Sequence, residues 1–343
     1  MDFYVLWLIS LEIKNIDKIN LLKMYKNEEN IYNNFENIKR TIHINNLQNL
    51  TKRIQILKNY LNEGDKIIVY NMKEYPEELK NIENPPYYLF YKGNIELLNK
   101  KILSIVGGRK HTSYGEQVTK FITKEAVLNG YVIGSGGARG IDSIAHKEAL
   151  ENGGETIAVL GCGIDVLYPK GNKKLFSELE KRGLIVTEFF LGTPPFSYNF
   201  PMRNRIISGI ARYLIVTEAN YKSGSLITVN YALEKGIEIG VVPSSIFSEL
   251  GYGCNMLLKE GAVPIISRQS LSDFLKFEEK NIRKVNSLIE EEILTIIRDE
   301  PMHIDKIFEK AKVDRNTLYK VLFEMQIKNN IVSLPGNYYA RII

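Results

Sequence analysis

Gly134-Ser135-Gly136-Gly137-Ala138-Arg139-Gly140-Ile141-Asp142 joins an apolar run that ends at Ile133 to a helical pattern that begins near Asp142. Glycines free the backbone to turn tightly and bare successive N–H groups, and the following helix start adds unpaired donors and partial positive charge. Such a turn is suited to holding phosphate, with Ser135 and Arg139 as further side-chain donors. A single glycine turn is also what many α/β proteins need merely to pass from strand to helix. Here three further segments repeat the arrangement.

Outward from this turn, short β-rich runs alternate with helix-length segments between Lys101 and Ser267. The runs are Ile102 to Val106, Tyr131 to Ser135, Thr156 to Leu160, Leu184 to Thr187, Tyr213 to Thr217, Ile239 to Val242 and Val263 to Ile266. That alternation predicts an α/β fold, a mostly parallel sheet with helices on both faces. Ser113 reads as the start signal of the Tyr114 to Leu128 helix, with Gly130 near its end. Ligands of such sheets collect at the carboxyl ends of the strands, where the glycine turns fall.

Upstream, Met1 to about Asn62 is helical and polar-rich, with Leu47, Leu50, Ile54, Leu57 and Leu61 at three- and four-residue spacings. Phe3 to Ile9 is too short to span a bilayer and reads as a packed helix. Tyr75-Pro76 and Pro85-Pro86 interrupt the chain, and the aromatic extended segment Tyr87 to Tyr91 opens a new domain. Downstream, the charged stretch Phe277 to Lys284 reads as a linker. Leu288 to Ile297, Ile304 to Ala311 and Thr317 to Lys328 read as helices, the last capped by Asp314, and Ile331 to Leu334 with Tyr338 to Arg341 as a hairpin. Three helices and a hairpin suggest a winged helix.

Composition bounds the possibilities without choosing among them. The 343 residues are 44% hydrophobic and 25% charged, those of an ordinary globular protein of two or three domains, and a net charge of +5 favours anionic partners only mildly. Cys162 and Cys254 stand far apart with no clustered histidine, so neither a zinc site nor a disulfide framework is expected and a reducing cytoplasm fits.

The phosphate chemistry recurs at each strand exit. Gly107-Gly108-Arg109-Lys110 follows the first run, where paired glycines permit close backbone approach, Arg109 can fork onto a phosphate and Tyr114 offers a ring nearby. Gly161 to Lys174 sets Lys170, Asn172 and Lys173 beside Tyr168, a mixture of cations and aromatics that suits single-stranded nucleic acid. Phe176 reads as a buried helix residue. Arg203, Asn204 and Arg205 fall at a helix start, where cations call for a compensating anion, either a ligand or Glu188 or Glu218. Ser223, Gly224, Ser225 and Thr228 either line the same trough or cap a helix.

No catalytic set emerges. Asp142 and His146 are spaced for one helical face and read as a hydrogen-bonded structural pair, while His43, His111 and His303 are scattered. The serines lack a base and an orienting acid, and no lysine-bearing phosphate loop occurs. No cofactor and no metal are expected.

Taken in order, Ser-Ile-Val-Gly-Gly-Arg at 104 to 109, Ser-Gly-Gly-Ala-Arg-Gly-Ile-Asp at 135 to 142 and Ala-His at 145 and 146 resemble the DNA-processing protein A family, DprA, also called Smf. So do Ala-Val-Leu-Gly-Cys-Gly-Ile-Asp at 158 to 165, Phe-Pro-Met-Arg-Asn-Arg-Ile-Ile at 200 to 207, Ser-Gly-Ser-Leu-Ile-Thr at 223 to 228 and Gly-Cys-Asn-Met-Leu-Leu-Lys-Glu-Gly-Ala at 253 to 262. The resemblance implies an extended Rossmann-like domain that binds single-stranded DNA and loads the recombinase RecA during natural transformation, with no nucleotide hydrolysis. It also implies a homodimer, and the expected partners include no membrane. On this chain the implied contacts are Gly107, Gly108 and Arg109, the turn with Ser135, Gly136, Gly137, Arg139 and Gly140, and the segment with Lys170 and Lys173. Gly108 stands where most relatives have threonine, which removes a hydroxyl donor. The expected domains are a helical, sterile-alpha-motif-like module at 1–70, the DNA-binding domain at 71–276 and a winged helix at 285–343.

Two other readings stand beside this one. A phosphoribohydrolase-type enzyme would use the same loops, but its Pro-Gly-Gly-x-Gly-Thr-x-x-Glu turn is replaced here by Tyr221 to Thr228. A regulatory adaptor would act through its terminal domains more than through DNA binding; in either case the winged helix offers duplex-DNA contacts through Arg315 or Lys320, or a protein contact on the same helix.

Overall fold

The computed structural model describes residues 1–42, 44, 46–64, 66–277, 282–297, 300–328 and 330–342, with backbone alone at 282–287. His43 and residues 278–281 of the expected linker lie outside the described residues. The chain divides into two compact units, Met1–Lys276 and Phe277–Ile343.

The first unit opens with five helices, α1 (Phe3–Ser10), α2 (Asn15–Tyr25), α3 (Glu28–Asn33), α4 (Phe35–Thr41) and α5 (Leu50–Asn62). Strand β1 (Lys66–Val69), the single-turn helix α6 (Glu77–Lys80) and β2 (Tyr88–Gly93) follow. Next come β3 (Ile102–Val106), α7 (Ser113–Leu128), β4 (Val132–Ser135), α8 (Ile141–Glu151), β5 (Thr156–Val159), α9 (Lys173–Arg182) and β6 (Leu184–Thr187). The chain continues through α10 (Asn199–Gly209), β7 (Tyr213–Val216), α11 (Ser225–Glu234), β8 (Ile239–Val241), α12 (Tyr252–Lys259), β9 (Val263–Pro264) and α13 (Arg268–Leu275).

All nine strands form one sheet in the order β1-β2-β6-β5-β4-β3-β7-β8-β9. From β3 to β9 every pairing is parallel, while β2 joins β6 antiparallel and β1 joins β2 antiparallel. The two added strands depart from the sequence expectation, which has no strand at β1 and takes β2 as an extended segment opening a new domain. Both faces are covered, so successive strand residues alternate between two cores rather than between core and water. Ile67, Val69, Tyr88, Phe90, Ala158 and Ile185 pack with the N-terminal helices and α9. Their neighbours Ile68, Leu89, Ile157, Val159, Leu184 and Val186 pack on the other face with α10, α11 and α12. Each such aliphatic or aromatic side chain contributes about 1.5–3 kcal/mol by leaving water.

The parallel part is doubly wound. From β3 the chain steps outward through β4, β5 and β6, then α10 carries it back across to β7 on the other side of β3. The carboxyl ends of β3 and β7 therefore mark the topological switch point, where loops diverge and leave a crevice.

Two local expectations are corrected. The cap of α7 is Thr112, whose hydroxyl accepts from Gly115 N at 3.1 Å, and Ser113 is the first helical residue. Arg203, Asn204 and Arg205 are in the second turn of α10, not at its start, because the helix already begins at Asn199.

The second unit comprises α14 (Ile282–Ile296), β10 (Met302–His303), α15 (Ile304–Ala311), α16 (Arg315–Ile327), β11 (Ile331–Leu334) and β12 (Tyr338–Arg341). The strands form an antiparallel sheet in the order β10-β12-β11, and Asp314 caps α16 by accepting from Thr317 N at 3.0 Å. Ile293, Ile307, Leu318, Val321 and Met325 fill its core. Among the described residues no helix is long and apolar enough to cross a membrane.

Candidate functional site

A pocket of about 570 Å³ opens at the switch point. Five chain segments build it: Val106 to Lys110 at the end of β3, Ala138 and Asp142 after β4, residues between Phe200 and Ile207 on α10, residues between Asn220 and Thr228 after β7, and Leu250 after β8. Its lining carries four cations, Arg109, Lys110, Arg203 and Lys222, against the single carboxylate of Asp142. The cavity is therefore electropositive and suited to an anion.

The loops are wired to one another through the backbone. Gly108 N donates to Glu218 O at 2.8 Å, and Ile141 N donates to Gly108 O at 3.2 Å. The Glu218 carboxylate accepts from Thr112 N and Thr112 Oγ1, each at 2.7 Å. Glu218 thus anchors the start of α7 and does not serve as partner to the arginines of α10.

Beneath the second turn lie two buried groups of opposite charge, each held by the backbone around it. Asp142 Oδ2 accepts from Gly136 N at 3.1 Å and from Ala138 N at 3.3 Å. Arg203 Nη1 donates to Gly136 O at 2.6 Å and also to Val159 O, and its Nε donates to Asn204 Oδ1 at 3.2 Å. A side-chain carbon at Gly136 would sit 2.6 Å from Arg203 Nη2 and 2.7 Å from Asp142 Oδ2, so both groups close on that glycine from one side. Burial pushes the Asp142 carboxyl up, opposed by Arg203 and the turn amides. The same burial draws Arg203 down to about 10, which leaves it charged at neutral pH.

The expected pairing of Asp142 with His146 is not found, because the amides of its own turn capture the carboxylate. His146 is fully buried, with Nδ1 2.6 Å from Thr156 Oγ1. Arg205, also expected near an anion, makes a two-pronged pair with Glu188, with Nη2 to Oε2 at 2.6 Å. Glu188 in turn accepts from Asn15 Nδ2 at 2.8 Å, so this pair ties α10 to α2.

Of the residues singled out from the sequence, the pocket gathers Gly107, Gly108, Arg109, Arg203, Asn204, Ser223, Gly224, Ser225 and Thr228. Ser135, Gly136, Gly137, Arg139, Gly140, Lys170, Asn172 and Lys173 lie outside its lining. Ser135 is not a free donor: its buried hydroxyl donates to Ile105 O at 2.7 Å. Asn172 is likewise buried, donating to Gly137 O at 3.0 Å and to Ser143 Oγ at 2.8 Å. It pins the third loop to the second turn and leaves Lys170 and Lys173 exposed on either side. Asn204 Nδ2 donates to Gly224 O at 3.0 Å, and Ser223 and Ser225 share a hydrogen bond at 2.7 Å. Arg109 and Arg139 are exposed, with the Arg109 guanidinium 5.4 Å from the centre of the Phe200 ring. Tyr114 is half exposed, its hydroxyl donating to Pro243 O at 3.1 Å. Phe176 is buried, as expected, against Gly137.

Sequence reasoning missed Lys222, which lines the pocket, and Phe200, the aromatic floor under Arg109. Phe200 standing three residues ahead of Arg203, and Lys222 beside Ser223 and Gly224, were the available signals. Among the described residues no group of three or more His, Cys, Asp or Glu could hold a metal ion. Both cysteines are buried, and burial pushes the Cys162 thiol up to about 11 and the Cys254 thiol up to about 12.

The chain is similar to several characterised proteins. It is 44% identical over 198 residues to a DNA processing protein DprA of Streptococcus pneumoniae, covering 57% of this chain and 70% of that one. It is 35% identical over 277 residues to protein Smf of Escherichia coli, covering 77% and 74%. The crystal structure of the Streptococcus pneumoniae protein superimposes with a TM-score of 0.67 at 33% identity, over 81% of this chain and 99% of that one. DNA processing protein A of Helicobacter pylori, whose structure is described for its single-stranded DNA binding mode, gives 0.55 at 29% identity over 66% and 97%. A family model, DNA recombination-mediator protein A, matches residues 66–276, from β1 to the end of α13, and the chain belongs to that family.

Proposed function

We propose that the chain binds single-stranded DNA along the carboxyl ends of its parallel strands and presents it to RecA in the cytoplasm, without bond chemistry, in recombination of incoming DNA during natural transformation. The observation that carries this reading is the convergence of the loops after β3, β4 and β7 on one electropositive pocket at the switch point. The single-stranded DNA binding named for the Helicobacter pylori relative supports it.

In this reading the predicted residues divide into two groups. Arg109, Arg139, Lys170 and Lys173 grip phosphates from exposed positions, helped by the backbone of Gly107, Gly108, Ser223, Gly224 and Ser225 and by Lys222. Ser135, Gly136, Gly137, Gly140, Asn172, Arg203, Asn204 and Thr228 hold the loops in shape from beneath. The segment 71–276 acts as the DNA-binding domain, with 1–70 as a helical module, 285–343 as a winged-helix partner domain, and two copies forming a homodimer.

The test is affinity for oligothymidine against duplex of equal length over a salt series. Counterion release predicts a linear fall of log affinity with log salt, about −0.7 per phosphate contacted for single strands. Salt-independent binding, or release of a free base from a nucleoside monophosphate by the purified protein, would overturn the reading, the latter in favour of a phosphoribohydrolase-type enzyme.

A further inference from the structure

Just ahead of the pocket, two aromatic rings stand in water with their planes nearly parallel. Phe196 and Tyr198 are 5.3 Å apart between ring centres at an interplanar angle of 11°, and are 44% and 62% exposed. Tyr198 occupies the cap position of α10 with helical backbone angles. On a helix, residues three and four apart are neighbours at about 5–6 Å between Cβ atoms. Tyr198 therefore adjoins Pro201, which lines the pocket, and Met202, which is 49% exposed. Phe200, two residues on from Tyr198, lies beneath Arg109 and meets the Tyr168 ring at 5.6 Å.

We infer that the Phe196–Tyr198 pair is a base-stacking subsite, which takes a nucleobase of the strand whose phosphates enter the pocket; the inference rests on the strand-binding reading above. A nucleobase is the occupant that fits. A parallel pair leaves an outer π-face open to a third flat ring, and every base offers such a face whatever its sequence. The pair also adjoins, through Pro201, a pocket whose cations suit the phosphates joined to that base. Tyr221 and Tyr252, also exposed, meet at 64° and present no such shared plane.

The experiment compares the parent protein with Tyr198→Ala, Tyr198→Phe and the Phe196→Ala/Tyr198→Ala pair on oligothymidine, on an abasic strand of equal length, and on strands carrying 2-aminopurine at successive positions. Loss of the stacked rings should weaken oligothymidine binding roughly five- to a hundredfold. Tyr198→Phe should bind as the parent does. On the abasic strand the alanine variants and the parent should be equal, and 2-aminopurine at one position should be quenched by the parent but not by the alanine variants. The salt slope should stay the same throughout, because no phosphate contact is removed. If the parent fails to bind oligothymidine, the strand-binding reading fails. If the parent binds and the double variant binds equally well with the same quenching, or if the variants change the salt slope instead, the stacking inference alone is overturned.

Discussion

Gly140 is seated directly on Gly108: a Cβ at residue 140 would lie 2.4 Å from the Gly108 carbonyl oxygen and 2.6 Å from that of Arg109. Gly140 also has φ of +82°, a conformation that side chains resist. The turn after β4 and the turn after β3 are therefore one packed object, and the place of one sets the place of the other.

Gly140→Ala should move both turns. The backbone conformation alone costs about 1–3 kcal/mol, and the collision is with carbonyl oxygens that have no rotamer to escape into. The expected outcome is a lower urea midpoint together with weaker oligothymidine binding. Gly171→Ala is the control, since nothing lies within 4 Å of that position and it should change neither. Equal stability and affinity in both variants would show that the two turns are not coupled.

Arg109 and Arg203 line the same pocket but should fail in different ways. Arg109 is exposed and has no backbone acceptor to leave behind, so Arg109→Ala should leave stability unchanged and weaken binding to unrelated strands alike. A charged hydrogen bond lost there is worth about 1.5–3 kcal/mol, and the salt slope should shrink by about 0.7. Arg203→Ala uncovers the carbonyls of Gly136 and Val159 and leaves Asp142 without its cation. Each buried carbonyl left without its donor costs about 1–3 kcal/mol, read as a fall in the denaturation midpoint.

These contrasts mark what the residues told in advance. The run of β-rich segments from Ile102 to Val242 announced a parallel sheet because strands covered on both faces must be apolar throughout. The glycine turns could be placed at strand ends for the same reason. Strands β1 and β2 escaped that logic: Pro76, Pro85 and Pro86 punctuate the chain as a linker would, and their antiparallel pairing is a long-range choice made by the shared core with α1 to α5. The inward aim of Arg203 was equally hidden. The run Arg203-Asn204-Arg205 calls for an anion, either a ligand or Glu188 or Glu218, and only the fold brings Gly136 O and Val159 O to the Arg203 guanidinium instead. Ser135 and Asn172 were read as ligands by residue type, while their burial assigns them to the loops' own carbonyls.

Removing one partner of the Arg205–Glu188 pair should be the more damaging change outside the pocket. Both side chains are buried, and Arg205 Nε also donates to Asn84 O at 2.7 Å. Glu188→Leu strands a buried guanidinium and is expected to lower stability by about 3–5 kcal/mol, whereas the double change Arg205→Met/Glu188→Leu should recover much of that loss. Denaturant midpoints of the two single variants and the double variant measure the coupling directly. A double variant no more stable than Glu188→Leu would show that the pair is not what holds α10 there.

His146 should give the fold a proton-dependent weakness below neutral pH. Thr156 Oγ1 gives its single proton to Ile133 O at 2.7 Å, so His146 Nδ1 must be the donor in their contact, and the buried Nε2 has no hydrogen-bond partner. Burial, reinforced by Arg203, drives this imidazole from 6.5 down to about 3 in the folded protein. Its folded value lies below its unfolded one, so between about 6.5 and 3 the unfolded chain binds a proton that the folded chain refuses. Stability from this site is complete above 6.5 and drains away as pH falls, by up to about 1.36 kcal/mol per pH unit. His146→Asn keeps an N–H for Thr156 but cannot titrate, and Arg203→Ala offers no such clean comparison because it also disturbs the turn. Denaturant melts from pH 7 to pH 4 should show the parent losing stability more steeply than His146→Asn by close to one proton. Parallel profiles would mean that His146 titrates alike in both states and that its burial does not control its charge.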